Sequence, residues 1–175
     1  MRAGVVLVGA LIVAGCGGDD VMRVPEPEVA ESIVVTSPAF ADGRPIPREY
    51  TCHGAGRSPE LAWRGVPADA RSLALVVSDP DAPGGTFIHW VLYDLPPRDG
   101  GLAPGQSPPG AREAENSGGR TGWYPPCPPS GTHRYPFTVY ALSGPASGRS
   151  TQDILDDIGR RAIARGTLTG LVAAG

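Results

Sequence analysis

Apolar residues occur along the chain in short runs divided by glycine and proline, a spacing that predicts strands joined by turns rather than a bundle of helices. Leu73-Ala74-Leu75-Val76-Val77 has no polar interruption, which predicts a strand buried on both faces. Phe87 to Leu95 predicts a second strand with less regular alternation, and Phe137-Thr138-Val139-Tyr140-Ala141-Leu142 a third. Ile33-Val34-Val35-Thr36 predicts the first strand of the fold and Thr167 to Val172 the last. A convincing helical period occurs once, where Ile154, Leu155, Ile158, Ala162 and Ile163 share a face. Ser150 with Asp153 makes a capping-box variant at its start. Asp153, Asp156 and Asp157 near the start and Arg160, Arg161 and Arg165 near the end complement the helix dipole, and Gly166 marks the stop.

Ser37 to Trp63 is rich in turn residues, with Phe40, Ile46, Tyr50, Leu61 and Trp63 available to pack beneath it. Pro96 to Arg120 has almost no apolar residues and predicts a long surface excursion. Residues 32–175 thus read as one mainly β domain with one helix in its C-terminal region. The 25 glycines and 20 prolines agree with that class.

The chain before residue 32 has a different character. Residues 1–15 carry Arg2, a short apolar stretch from Gly4 to Ala14 and then small residues, the pattern of a secretory signal peptide too short to be a stable membrane span. Val13-Ala14-Gly15-Cys16 resembles the lipobox of bacterial lipoproteins, which implies cleavage before Cys16 and acylation of that residue; the alternative is an ordinary signal that leaves a free cysteine. Residues 16–31 are acidic, contain Pro25 and Pro27, show no hydrophobic period and read as a flexible tether. All 15 basic residues are arginine and the net charge is -3, which excludes a basic stripe for nucleic acid and leaves a lipid as the means of attachment to a membrane. In an oxidising compartment Cys52 and Cys127 are permitted to form a disulfide worth on the order of 2 to 4 kcal/mol, the alternative being two buried thiols.

Two polar knots interrupt the strand pattern. Asp79-Pro80-Asp81-Ala82-Pro83 follows the first long run and leads to His89-Trp90, and Cys127-Pro128-Pro129-Ser130-Gly131-Thr132-His133-Arg134-Tyr135 precedes the run from Phe137. The prolines restrict the backbone, so the carboxylates and imidazoles are held in place, and the two knots are expected to face one another. Two histidines and two carboxylates can ligate a metal, but no paired ligand spacing such as His-x-x-x-His or Cys-x-x-Cys occurs, so no metal or other cofactor is assigned. Ser130 lacks the Gly-x-Ser-x-Gly elbow of a serine hydrolase. A small anionic or zwitterionic ligand, such as a phosphate ester bearing an amine, suits the group best.

These blocks, with Thr36-Ser37-Pro38-Ala39-Phe40, Tyr50-Thr51-Cys52, Ser58-Pro59-Glu60-Leu61, Trp63-Arg64-Gly65-Val66-Pro67 and Asn116 before Thr121-Gly122, resemble the signature blocks of the phosphatidylethanolamine-binding proteins, in particular their bacterial, Raf-kinase-inhibitor-like branch. The resemblance runs from about Ile33 to Val172. It implies a central antiparallel sheet with a smaller sheet and few helices, and a shallow anion pocket lined by Asp79, Asp81, His89, Pro128, Pro129, His133 and Tyr135, with Arg134 locking the pocket loops. The chain departs from the branch at Cys52-His53-Gly54-Ala55-Gly56 and at Tyr124-Pro125-Pro126-Cys127, where His53 reads as a surface loop residue and the prolines stiffen the rim. The expected function is binding rather than catalysis, by a lipid-anchored extracytoplasmic protein of the cell envelope, with the outer membrane preferred where a cell has one. The alternatives are an interaction or inhibitor module that receives an anionic side chain of a protein partner, and a weak phosphoester hydrolase using His133.

Overall fold

The unbroken apolar run before Asp79 becomes a strand because both of its faces are covered. In the computed structural model, which describes residues 21–175, strand β4 (Ser72–Asp79) is buried along its whole length. Leu73, Leu75 and Val77 point into one core and Ala74 and Val76 into another. Before it in the chain come β1 (Val34–Thr36), β2 (Arg44–Pro45) and β3 (Leu61–Arg64). After it come β5 (Phe87–Leu95), β6 (Gly100–Leu102), β7 (Arg112–Glu113), β8 (Thr132–Leu142), helix α1 (Thr151–Arg161) and β9 (Ala162–Ala173).

The larger sheet has the order β2-β9-β8-β4-β5-β7, antiparallel except for the β2–β9 pair, and the smaller sheet is β1-β3-β6. The first core lies between the sheets, where Val35, Leu61 and Trp63 meet Leu75, Trp90, Phe137 and Val139. Phe40, Ile46 and Tyr50 are buried beneath the turn-rich segment as the sequence predicts. The second core lies between the other face of the large sheet and Ile154, Leu155 and Ile158 of α1.

Three expectations are corrected. The helix starts as predicted, with Ser150 Oγ accepting from Asp153 N (3.1 Å) and Asp153 Oδ2 accepting from Ser150 N (3.1 Å), but it ends at Arg161. Ala162 and the residues after it are drawn into β9, whose register with β8 runs from Ala162 opposite Leu142 to Ala173 opposite Thr132. Pairing along that whole length satisfies more backbone groups than another helical turn would. Gly166 is therefore a strand residue, and it is needed there because a Cβ would overlap the Ile33 carbonyl oxygen.

The stretch from Pro96 to Arg120 is less of an excursion than its composition suggests. It supplies an edge strand to each sheet, β6 beside β3 and β7 beside β5. Asn116 is buried and ties the turn that follows, donating to Gly122 O (2.9 Å) and accepting from Gly118 N (2.9 Å).

Residues 21–31, expected as free tether, lie against the domain, whereas the signal segment, the lipobox and Cys16 are outside the described residues. Met22 and Val24 pack on the second core, Tyr140 Oη donates to Pro25 O (2.7 Å), and Arg23 N donates to Gln152 Oε1 (2.8 Å). Ala30 bridges to Ala164 and Arg165 reaches Glu31 at 3.0 Å. A segment without hydrophobic period is held because its few apolar groups meet a sheet face that α1 leaves open.

Candidate functional site

The register of β4 with β8, Val77 opposite Phe137, brings Asp79 at the end of β4 level with the start of β8. His133 Nδ1 lies 2.7 Å from Asp79 Oδ2, so the ring donates that proton to the carboxylate and presents Nε2. The other Asp79 oxygen accepts from Asp81 N at 2.9 Å, closing an Asx turn across Pro80. Asp79 and His133 are both buried. The two knots do face one another, as the sequence predicts.

His89 is placed by an irregularity in β5. Val77 pairs with Trp90 and Ser78 with Ile88, so His89 is the extra residue of a bulge. A bulge re-aims the side chain it carries. Here His89 Nδ1 donates to Tyr124 O (2.7 Å), while Tyr124 N donates to His89 O (3.0 Å). Its ring is surrounded by Phe87 (4.8 Å between centroids), Tyr135 (5.2 Å) and Tyr124 (5.9 Å). Burial holds this imidazole below the usual histidine range, against the opposing pull of the Tyr124 carbonyl and the Asp79 charge.

Between these groups is a cavity of about 190 Å³ lined by Asp79, Ala82, Pro83, Phe87, His89, Tyr124, Cys127, Pro128, Pro129, His133 and Tyr135. Among the described residues the buried Tyr135 hydroxyl has no hydrogen-bond partner. Burial, reinforced by the charge of Asp79, pushes that phenol above its ordinary value, so it remains a proton donor. The larger grooves of the surface, such as one of about 700 Å³ beside Val21, Arg149 and Ser150, bring no such set of buried titratable groups together among the described residues.

Six of the seven residues singled out for the pocket lie on this wall, and Asp81 does not. Its carboxylate is committed to Arg134, accepting from the backbone N (2.9 Å), from Nε (2.9 Å) and from Nη2 (2.6 Å). The pairing ties one knot to the other from outside the cavity. These hydrogen bonds hold the Asp81 carboxyl down from 3.8 to about 2. The stabilisation is therefore full above pH 4 and is lost as pH falls towards 2. Arg134→Ala is expected to make acid unfolding between pH 4 and 2 less steep while leaving stability at pH 7 within about 1 kcal/mol of wild type, because the pair is partly exposed. Denaturant midpoints measured across that pH range check it; an unchanged acid limb would remove Asp81 from the account.

Sequence reasoning did not place Phe87, Tyr124, Ala82 or Pro83 on the wall. Phe87 and Tyr124 are legible in hindsight as the aromatic residues next to the two knots, but which way each ring turns depends on the bulge. The expected disulfide is present between Cys52 and Cys127, with Cα atoms 5.4 Å apart, and it pins the rim to the turn after Tyr50. His53 is exposed beside it, as expected of a surface loop residue.

Against known proteins, residues 36–173 match the family model described as phosphatidylethanolamine-binding protein. The chain is 44% identical over 155 residues to a Mycobacterium tuberculosis protein provisionally named lipoprotein LppC, covering 80% of this chain and 77% of that one. It is 41% identical over 145 residues to a UPF0098 protein of Methanothermobacter thermautotrophicus, covering 78% and 96%. Among solved structures, a protein of Chlamydia trachomatis described as a homologue of the phosphatidylethanolamine-binding proteins superposes with a TM-score of 0.76 at 38% identity, covering 83% of this chain and all of that one. Escherichia coli YbcL, described as a member of the mammalian family, gives 0.76 at 29% identity, covering 82% and 99%.

Proposed function

This chain belongs to the phosphatidylethanolamine-binding protein family, and from that membership we propose that it is an extracytoplasmic binding protein, attached to a membrane of the cell envelope by lipid on Cys16, that takes a small phosphate-bearing or other anionic group into its cavity. The lipid attachment is supported by the lipobox and by the relative named as a lipoprotein. Binding rather than turnover is proposed because the family model that the chain matches is described as that of a binding protein.

The observation that carries the ligand class is the buried Tyr135 hydroxyl without a partner, on the same wall as two imidazoles that each have Nδ1 engaged. Tyr135 offers a proton. His133, backed by the Asp79 carboxylate, offers a second from Nε2 when it is protonated, and neutral His89 offers a lone pair. Two donors and one acceptor fit a phosphate ester that keeps one proton, or one whose amine reaches the acceptor. A cavity of about 190 Å³ holds a group of that size.

Calorimetric titration with phosphoethanolamine and with inorganic phosphate, at pH 6 and pH 8, tests the proposal. Imidazole as a class takes up its proton across that interval, and burial works against the charged form at His89. Binding is expected to be tighter for the zwitterion and tighter at pH 6, and His133→Ala is expected to lower affinity by roughly tenfold or more, the loss of one charge-assisted hydrogen bond. If neither compound binds at millimolar concentration, the small-ligand reading fails and the interaction-module reading takes its place.

A further inference from the structure

His53 is the third histidine of the chain and takes no part in the cavity, but it lies where two other metal-binding side chains meet. Its nearest ring nitrogen and the sulfurs of Cys52 and Cys127 all lie within 4.8 Å of one another, among the described residues a cluster of three ligand atoms close enough to share an ion. All three residues are exposed, so the disulfide is open to exchange with a reductant. We propose that, once this disulfide is reduced, Cys52, His53 and Cys127 form a three-coordinate site for a thiolate-seeking metal ion, monovalent copper above all.

The backbone keeps the ligands together without the covalent bond. Cys127 stands between Pro126 and Pro128, whose φ angles are fixed by their rings. Cys52 N donates to Pro126 O at 3.0 Å, so the two cysteine-bearing segments are joined beside the sulfurs. Buried Thr51 braces the turn, its Oγ1 donating to Arg48 O (2.8 Å) and accepting from His53 N (3.3 Å). A three-coordinate ion with metal–sulfur bonds of about 2.3 Å needs its sulfurs about 4 Å apart. The Cα separation of 5.4 Å allows that by side-chain rotation alone. Two soft thiolates and an imidazole suit monovalent copper; zinc prefers a fourth ligand that this cluster does not supply.

The chemistry balances with a dithiol as reductant. One of its thiolates attacks a sulfur of the Cys52–Cys127 bond, the other cysteine leaves as thiolate, and the reductant's second thiol displaces the first cysteine. Two electrons and two protons pass to the protein, and the reductant departs as a disulfide. The two protein thiols release their protons on binding the metal, whose charge does not change. The ion then takes over the cross-link between the turn at Cys52 and the cavity rim, where Cys127, Pro128 and Pro129 line the wall.

The test uses the full chain carrying Cys16→Ser, so that Cys52 and Cys127 are its only thiols. After anaerobic reduction with a phosphine, it is titrated with monovalent copper against a chromophoric chelator. One copper per chain is expected in the reduced protein and none in the oxidised protein, with affinity falling roughly tenfold or more in His53→Ala. His53 is exposed, and oxidised His53→Ala should give the wild-type near-ultraviolet dichroism, which controls for folding. Equal copper affinity in His53→Ala would reduce the finding to a bare dithiol and overturn the site. Absence of uptake by the reduced protein overturns it as well, and so does loss of native dichroism on reduction that copper does not restore.

Discussion

Asp79→Ala is expected to lower stability at neutral pH by about 3 kcal/mol and to remove most of the affinity for a phosphate ester. The carboxylate accepts hydrogen bonds from His133 Nδ1 (2.7 Å) and from the Asp81 backbone N (2.9 Å), and it does so from a buried position on the cavity wall. Alanine leaves both donors unpartnered and opens a void between β4 and β8. Asp79→Asn separates the fold from the ligand. Its amide oxygen still accepts from Asp81 N, so most of the stability should return. Its amide nitrogen faces His133 Nδ1 as a donor, which reverses the tautomer and gives no support to an imidazolium. Binding by Asp79→Asn should therefore be weak. Denaturant titration and calorimetry on the two variants check this, and an asparagine variant that keeps the wild-type affinity would exclude the Asp79–His133 pair as its source.

Cys52→Ser with Cys127→Ser is expected to cost about 4 kcal/mol, from the entropy that a cross-link spanning 75 residues removes from the unfolded chain. For a domain of this size that is a fall in melting temperature of roughly 10 °C. The loss is within the stability of an ordinary domain, so the protein should remain folded. Affinity for a small anion should fall less than stability, because Asp79, His133 and Tyr135 stand on strands and only the rim residues next to Cys127 are released. Thermal unfolding followed by calorimetry gives the first quantity. A midpoint within a degree or two of wild type would mean that the unfolded chain gains nothing from losing the bond.

The residues that make strands and the start of the helix were legible because their signals are local. The run Leu73 to Val77 states in five letters that both faces of a strand are covered, and Ser150 with Asp153 closes its hydrogen bonds within one turn. The end of the helix was not legible. Ala162 and Ile163 continue the helical period, but they also continue a β9 ladder whose partner is Leu142 and its neighbours in β8, and the ladder prevails.

The site divides in the same way. The sequence by itself determined the inventory: two proline-stiffened knots carrying two aspartates, two histidines and a tyrosine, a cysteine pair, and family blocks in order along the chain. Only the tertiary structure decided their roles. Asp79 and Asp81 are two residues apart and alike in the sequence, yet one meets His133 inside the cavity and the other meets Arg134 outside it, because β4 ends at Asp79 and the turn across Pro80 carries Asp81 off the strand. His89 reaches the cavity through a bulge that no local pattern announces. Met22 and Val24 become part of the second core because a sheet face waits for them more than fifty residues away. Periods and caps are written within a turn or two of chain, whereas the partners of a buried charge or a sheet face are chosen by contacts between distant segments, and those exist only once the sheet has formed.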